Sequence, residues 1–142
     1  MKLRLLLIGK TRRPELRALF DDYLRRIGHS CAIDAAEVRD GEAAMKKLDA
    51  LKASTVLLLD AAGKSYDSET FSRWLGDAKD RGTREMVFVC ADAAGPSAAL
   101  RARVPRTLSL GAMTYSHELA RVMLAEQLYR ALALLSGSPY PK

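Results

Sequence analysis

Thr55-Val56-Leu57-Leu58-Leu59-Asp60 and, one helix later, Met86-Val87-Phe88-Val89-Cys90 are the stretches that decide the fold. Each is a short run with no polar alternation, the pattern of a strand covered on both faces. Between them, residues 68–81 have helical spacing. Ser68 stands as an N-cap, Phe71, Trp74, Leu75 and Ala78 face inward, and Gly82 follows the last turn. A strand, a helix and a strand in this order imply parallel pairing in a sheet between helix layers.

The same alternation extends in both directions. Lys2–Ile8 reads as a buried first strand. Pro14 suits a first helical position. Leu16, Leu19, Phe20, Tyr23, Leu24 and Ile27 then recur at helical spacing, and Gly28 closes that helix. Ala32–Val38 is a weaker strand, and residues 42–52 form a helix with Met45, Leu48 and Leu51 on one face. A short fifth strand is expected at residues 107–110 and a long helix at 116–135. The fold class is therefore α/β, a single domain over residues 1–142, with a mostly parallel sheet between helix layers.

In such sheets ligands bind beyond the carboxyl ends of the strands. That rule gathers Leu59-Asp60-Ala61, residues 90–95 and residues 110–115 around one candidate site.

Composition narrows the partners. The net charge is +6, unevenly spread: 12 basic and 8 acidic residues in 1–55, 5 and 7 in 56–100, 6 and 2 in 101–142. Basic ends around a mildly acidic middle suit a nucleic-acid partner met through its phosphates. No apolar run approaches the roughly 18 residues of a membrane span. The apolar start lacks a small-residue cleavage site and runs at once into Gly9-Lys10-Thr11-Arg12-Arg13, so it reads as a buried strand of a cytoplasmic protein. Cys31 and Cys90 have no CxxC spacing and read as two core thiols, with a disulfide formally open. With only His29 and His117 and no Cys/His cluster, no metal is expected.

Two local motifs are weak by themselves. Ala61-Ala62-Gly63-Lys64-Ser65 resembles the end of a P-loop, but the glycine required five positions before Gly63 is Leu58, inside a strand. A turn after a strand is the better reading. Cys90-Ala91-Asp92-Ala93-Ala94-Gly95-Pro96 could offer backbone N–H groups to a ligand, yet reads locally as an ordinary loop. The last helix is apolar around most of its circumference, with Leu119, Val122, Met123, Leu124, Ala125, Leu128, Ala131, Leu132, Leu134 and Leu135. Such a helix is buried on nearly all sides, either in a subunit interface centred near Leu128 and Leu132 or wholly within one chain. The interface is the favoured expectation.

The carboxyl third adds a resemblance. Leu110-Gly111-Ala112-Met113-Thr114-Tyr115-Ser116-His117, running on through residues 118–131, is similar to the signature of the ribosomal large-subunit methyltransferase H family, of the SPOUT class. Residues 59–68 resemble its LDxxGxxxxS segment. The start of the chain and Tyr23-Leu24-Arg25-Arg26 match as well. The resemblance covers nearly the whole chain, with a shortened stretch near residues 39–54. It implies a SPOUT fold with a C-terminal trefoil knot, a homodimer, and S-adenosyl-L-methionine as cofactor. It also implies methyl transfer to N3 of a pseudouridine in a helix-loop of 23S rRNA, within the ribosome. Carried onto this chain, it assigns the cofactor contacts to Leu59, Ala91, Leu110, Gly111, Ala112, Met113, Thr114 and Tyr115. These are the strand ends already singled out.

This chain departs from the family at two places. Ala91 and Asp92 stand where the knot loop has glycines, which predicts a crowded loop, a negative charge near the cofactor carboxylate and weakened binding. The tail reads Gly137-Ser138-Pro139-Tyr140-Pro141-Lys142, without the family's two histidines. Tyr140 is then the catalytic candidate, for substrate contact or proton handling, and Lys142 a cation near the RNA. The alternative function is a degenerate homologue that binds RNA or the ribosome without methyl transfer.

Overall fold

The computed structural model describes residues 1–53 and 55–140. Its elements run β1 (Lys2–Ile8), α1 (Pro14–Gly28), β2 (Ala32–Val38), α2 (Gly41–Leu51), β3 (Thr55–Leu59), α3 (Ser68–Asp80), β4 (Glu85–Cys90), α4 (Ala98–Arg103), β5 (Thr107–Leu108) and α5 (His117–Ser136). The five strands form one sheet in the order β2-β1-β4-β3-β5, with every pairing parallel.

Side-chain alternation divides the core between the two faces of the sheet. Leu3, Leu5 and Leu7 of β1, Leu57 of β3, and Met86, Phe88 and Cys90 of β4 pack with Phe20, Ile27, Phe71, Leu75, Leu124 and Leu128 from α1, α3 and α5. Leu6, Ile8, Leu58, Val87 and Val89 point the other way, against Ala44 and Leu48 of α2 and Leu100 of α4. Burying each such side chain contributes about 1.5–3 kcal/mol, and both faces of the central strands share it. The weaker pattern of β2 has its cause here: the strand lies at the sheet edge and is only half-buried.

Four details differ from the sequence expectation. The N-cap of α3 is Asp67, whose carboxylate accepts from Thr70 N at 2.7 Å. Ser68 is the first helical residue, and its Oγ lies 3.1 Å from Gln127 Oε1 on α5. Both residues have cap chemistry, and the tertiary contact to Gln127 draws Ser68 inward. Gly28 is the last residue of α1, and His29, in right-handed geometry, is the cap. β5 ends at Leu108, because Ser109 and Leu110 already turn toward the carboxyl-edge loops.

The fourth difference concerns α5, which lies between α1 and α3. Leu124, Ala125, Leu128 and Ala131 are buried by the chain's own core. Ser72 Oγ of α3 donates to Ala131 O at 2.8 Å. One turn along the same flank, a Cβ at Gly76 would lie 2.7 Å from Leu135 Cδ2, and on the α1 flank the rings of Tyr23 and Tyr129 lie 6.1 Å apart. The apolar circumference is thus largely consumed within one chain. Leu128 is no interface residue, and the apolar surface left exposed is Leu119, Leu134 and Leu135.

Candidate cofactor cavity

A cavity of about 440 Å³ opens beyond the carboxyl ends of β3 and β4. Its walls are Leu59-Asp60-Ala61, the loop from Cys90 to Pro96, and the segment from Leu110 into the first turn of α5. Of the residues expected to contact a cofactor, Leu59, Ala91, Leu110, Gly111, Met113, Thr114 and Tyr115 line it. Ala112 does not; it is exposed beside the cavity. Strand-end logic and the resemblance therefore select one place, with one residue of the set turned away.

The walls are held by groups that the sequence reading did not single out. Ser109, 4% exposed, has its Oγ 3.0 Å from Ala61 O and 3.0 Å from Gly111 O, and accepts from Gly111 N at 3.1 Å. One hydroxyl thus links two walls. Ser109 N donates to Lys64 O at 2.7 Å, and Lys64 N to Thr107 Oγ1 at 3.1 Å. Gly63 is required at this crossing, because a Cβ there would lie 2.6 Å from Thr107 Cβ. Gly111 has φ +143°, and a Cβ would meet Tyr115 Oη at 3.5 Å. A serine followed two residues later by glycine was the only sequence trace of this device.

The loop after β4 is less strained than Ala91 and Asp92 suggested. Among the described residues the only non-glycine with positive φ is Lys52. Ala91 and Asp92 therefore avoid the left-handed region, and Gly95, at φ +78°, supplies the turn. Asp92 accepts from Ala94 N through Oδ1 at 3.1 Å, and its carbonyl from Gly95 N at 3.0 Å. The aspartate closes the loop on itself, a stabilising use of a short acidic side chain.

Two carboxylates, Asp60 and Asp92, border the cavity. Asp60 accepts from Ala62 N at 3.0 Å and pairs with Arg101 at 3.4 Å. Cys90 is buried at the back; burial pushes its thiol up to about 12, so it stays protonated and is no nucleophile.

Tyr140 is not brought to this cavity. Its hydroxyl donates to Glu126 Oε2 at 2.7 Å, and its ring packs 4.7 Å from that of Tyr129. Burial and the Glu126 carboxylate hold its pKa well above the ordinary tyrosine value. Lys142 lies outside the described residues. A second groove, of about 500 Å³, runs between α1, the start of α3 and α5, bounded by Leu19, Tyr23, Tyr66, Met123 and Glu126. It shares Leu110 with the first cavity.

Comparison with known proteins gives the family. The family model described as "Predicted SPOUT methyltransferase" matches residues 1–141. The chain belongs to that family. It is 39% identical over 153 aligned positions to the ribosomal RNA large subunit methyltransferase H of Geotalea daltonii, covering 99% of both chains. The corresponding protein of Koribacter versatilis is 37% identical, over 99% of this chain and 97% of that one. This SPOUT family member thus falls among the methyltransferases H. Among solved structures, a probable methylase family protein from Haemophilus influenzae Rd KW20 shares the fold, with a TM-score of 0.62 at 10% identity, over 99% of this chain and 70% of that one. The SpoU methyltransferase AviRb of Streptomyces viridochromogenes, solved with the cofactor AdoMet, gives 0.55 at 17% identity, over 95% and 58%.

Proposed function

We propose that the protein is an S-adenosyl-L-methionine-dependent methyltransferase acting on N3 of a pseudouridine in ribosomal 23S rRNA. The observation that carries this reading is the 440 Å³ cavity at the three strand ends, in a chain whose relatives are methyltransferases H. Its volume falls within the roughly 300–1,000 Å³ range of small-ligand sites. Its chemistry suits the cofactor: apolar walls from Leu59, Leu110 and Met113, backbone of the 110–115 segment for an adenine edge, and the Asp92 carboxylate for a ligand bearing an ammonium and a sulfonium. When bound, S-adenosylmethionine supplies an electrophilic methyl group.

The contribution of the chain is alignment and charge. Ser109 and Gly111 fix the two walls relative to each other, so the donor is held without reorganisation at the moment of reaction. Asp60 is already paired with Arg101, so Asp92 is the carboxylate left to offset the ammonium and sulfonium, at the cost of opposing the cofactor's own carboxylate. Tyr140, whose hydroxyl keeps its proton and donates it in a hydrogen bond to Glu126 Oε2, is suited to RNA contact rather than to removing the N3 proton. We take the C-terminal trefoil knot to be part of this fold. We also take the protein to work in the cytoplasm; among the described residues no helix is long and apolar enough to cross a membrane.

A homodimer belongs to the same reading. Leu19, 44% exposed, lines the second groove, and Leu119, 39% exposed, lies one turn before the groove residues Val122 and Met123 on α5, which gives a second copy an apolar footing. In such a pair the tail carrying Tyr140 would approach the partner's cavity. The test is transfer of labelled methyl groups to ribosomes lacking the modification. Cofactor binding without any transfer would favour the RNA-binding homologue instead.

A further inference from the structure

The loop between β1 and α1, residues 9–13, is tied down far more heavily than a surface loop requires. Gly9 N donates to Val38 O at 2.8 Å, and Thr11 N to Glu37 Oε2 at 2.8 Å. Arg12 N and Arg13 N both donate to Glu118 Oε1, each at 2.9 Å. Arg121 reaches from α5 to Ile8 O, Gly9 O and Thr11 Oγ1 at 2.6, 2.9 and 2.8 Å.

Arg121 is 1% exposed, its nearest carboxylate oxygen is Glu37 Oε2 at 3.9 Å, and its Nε has no hydrogen-bond partner. A guanidinium buried on such terms is costly. Local rules are broken in this way chiefly where a site must be held rigid.

The product of all these bonds is a loop whose backbone faces inward, while Lys10, Arg12 and Arg13 stand exposed. Arg13 pairs with Glu15 on the open surface, whereas Lys10 and Arg12 have no ion pair among the described residues. The ledge flanks the cavity. A Cβ at Gly9 would lie 3.6 Å from Asp92 Cβ, on the cavity wall, and Glu118 directly follows His117, another wall residue.

We propose that residues 9–13 form a pre-organised cationic ledge that grips RNA phosphates beside the cavity, with Glu118 and Arg121 as its positioning residues. This rests on the rRNA methyltransferase reading. Phosphate contacts fix register and orientation without reading bases. A rigid ledge one wall away from the methyl donor would set where the target nucleotide enters.

Binding to ribosomes lacking the modification, measured by co-sedimentation from about 50 to 200 mM KCl, tests it through a salt slope of roughly 0.7–0.9 per phosphate contact. Lys10→Ala/Arg12→Ala is expected to flatten the log–log slope by about 1.5, with cofactor affinity unchanged. Glu118→Ala raises the net charge, so charge counting alone predicts tighter binding. The ledge predicts a weaker complex and a higher KM for ribosomes, with kcat preserved. An unchanged slope in the double variant, with methyl transfer intact in the unmodified protein, overturns the ledge alone. Absence of both cofactor binding and methyl transfer in the unmodified protein overturns the underlying reading as well.

Discussion

The hydroxyl of Tyr140 donates to Glu126 Oε2 at 2.7 Å, which turns the one distinctive tail side chain toward its own helix and away from its own cavity. Glu126 is in turn held by Arg130 at 2.8 Å, and the Arg130 guanidinium lies 5.4 Å from the Tyr140 ring centre. The tail is docked on α5 by a carboxylate, a cation and an aromatic neighbour.

Tyr140→Phe should therefore act on substrate binding. Its hydroxyl cannot serve as a base at neutral pH, and general acid–base help is typically worth about 10²–10⁴ in rate. The expected outcome is a raised KM for ribosomes with kcat within about tenfold of the unmodified protein. A loss of kcat in the 10²–10⁴ range would instead make Tyr140 a proton-transfer residue.

Gly63→Ala should loosen the wall where the segment after β3 crosses β5. The new methyl group would lie 2.6 Å from Thr107 Cβ, a branched strand residue with little room to move. Overpacking of this kind costs about 1–3 kcal/mol, read as a lower midpoint in urea. Pairing it with Thr107→Ala should recover part of the loss, and simple additivity of the two changes would refute the clash.

Ala91→Gly should do little for cofactor affinity. The sequence predicts that glycine restored at both Ala91 and Asp92 tightens binding, but neither residue occupies the left-handed region. Calorimetry should find Kd changed by less than about threefold, with a stability loss of roughly 0.5–1 kcal/mol from added chain freedom. Tightening beyond tenfold would return the crowding explanation to favour.

Leu19→Arg and Leu119→Arg should convert a dimer to a folded monomer, whereas Leu128→Arg should unfold the chain, because Leu128 is fully buried within it. Sedimentation velocity with thermal melting separates these outcomes. A monomeric unmodified protein would refute the dimer.

Acid should weaken the tie between α5 and the β1–α1 loop. The Arg13 amide lowers the pKa of Glu118 most; burial opposes it next, and the Arg12 amide adds to the lowering. Burial opposes the shift at Glu37 most, but the Thr11 amide and the Arg17 and Arg121 guanidiniums carry it downward overall. For a lowered folded pKa, the stabilisation is complete above the unfolded value, about 4.3 for glutamate. It is lost as pH falls through the folded value. Melting temperature should drop below about pH 4.3, and Glu118→Gln should shallow that drop; identical acid limbs in both proteins would contradict the assignment.

Much of this was legible in the chain. Leu57 and Leu58 are both apolar, so β3 had to be buried on two sides, and the parallel sheet and its carboxyl-edge site followed. The buried cation was not legible, because a helical wheel assigns Arg121 to solvent. Only the meeting of α5 with the end of β1, more than 100 residues away in sequence, supplies the carbonyls that hold it. The packing of α5 was ambiguous for a related reason: an apolar circumference states how much surface is covered, not whose chain covers it. Asp67 and Ser68 are adjacent residues of equal capping chemistry, and Gln127 decides between their roles. The place of Tyr140 depends on a contact with Glu126, which no local pattern announces.

The most direct measurement is incubation of the protein and labelled S-adenosylmethionine with ribosomes lacking the modification, followed by mapping of the label in 23S rRNA. Label at N3 of a single pseudouridine, abolished when Gly111→Val fills the cavity wall in a still-folded protein, is the expected result. Saturable cofactor binding with no label in the RNA, or label undiminished by Gly111→Val, would contradict the assignment of this cavity as the seat of methyl transfer.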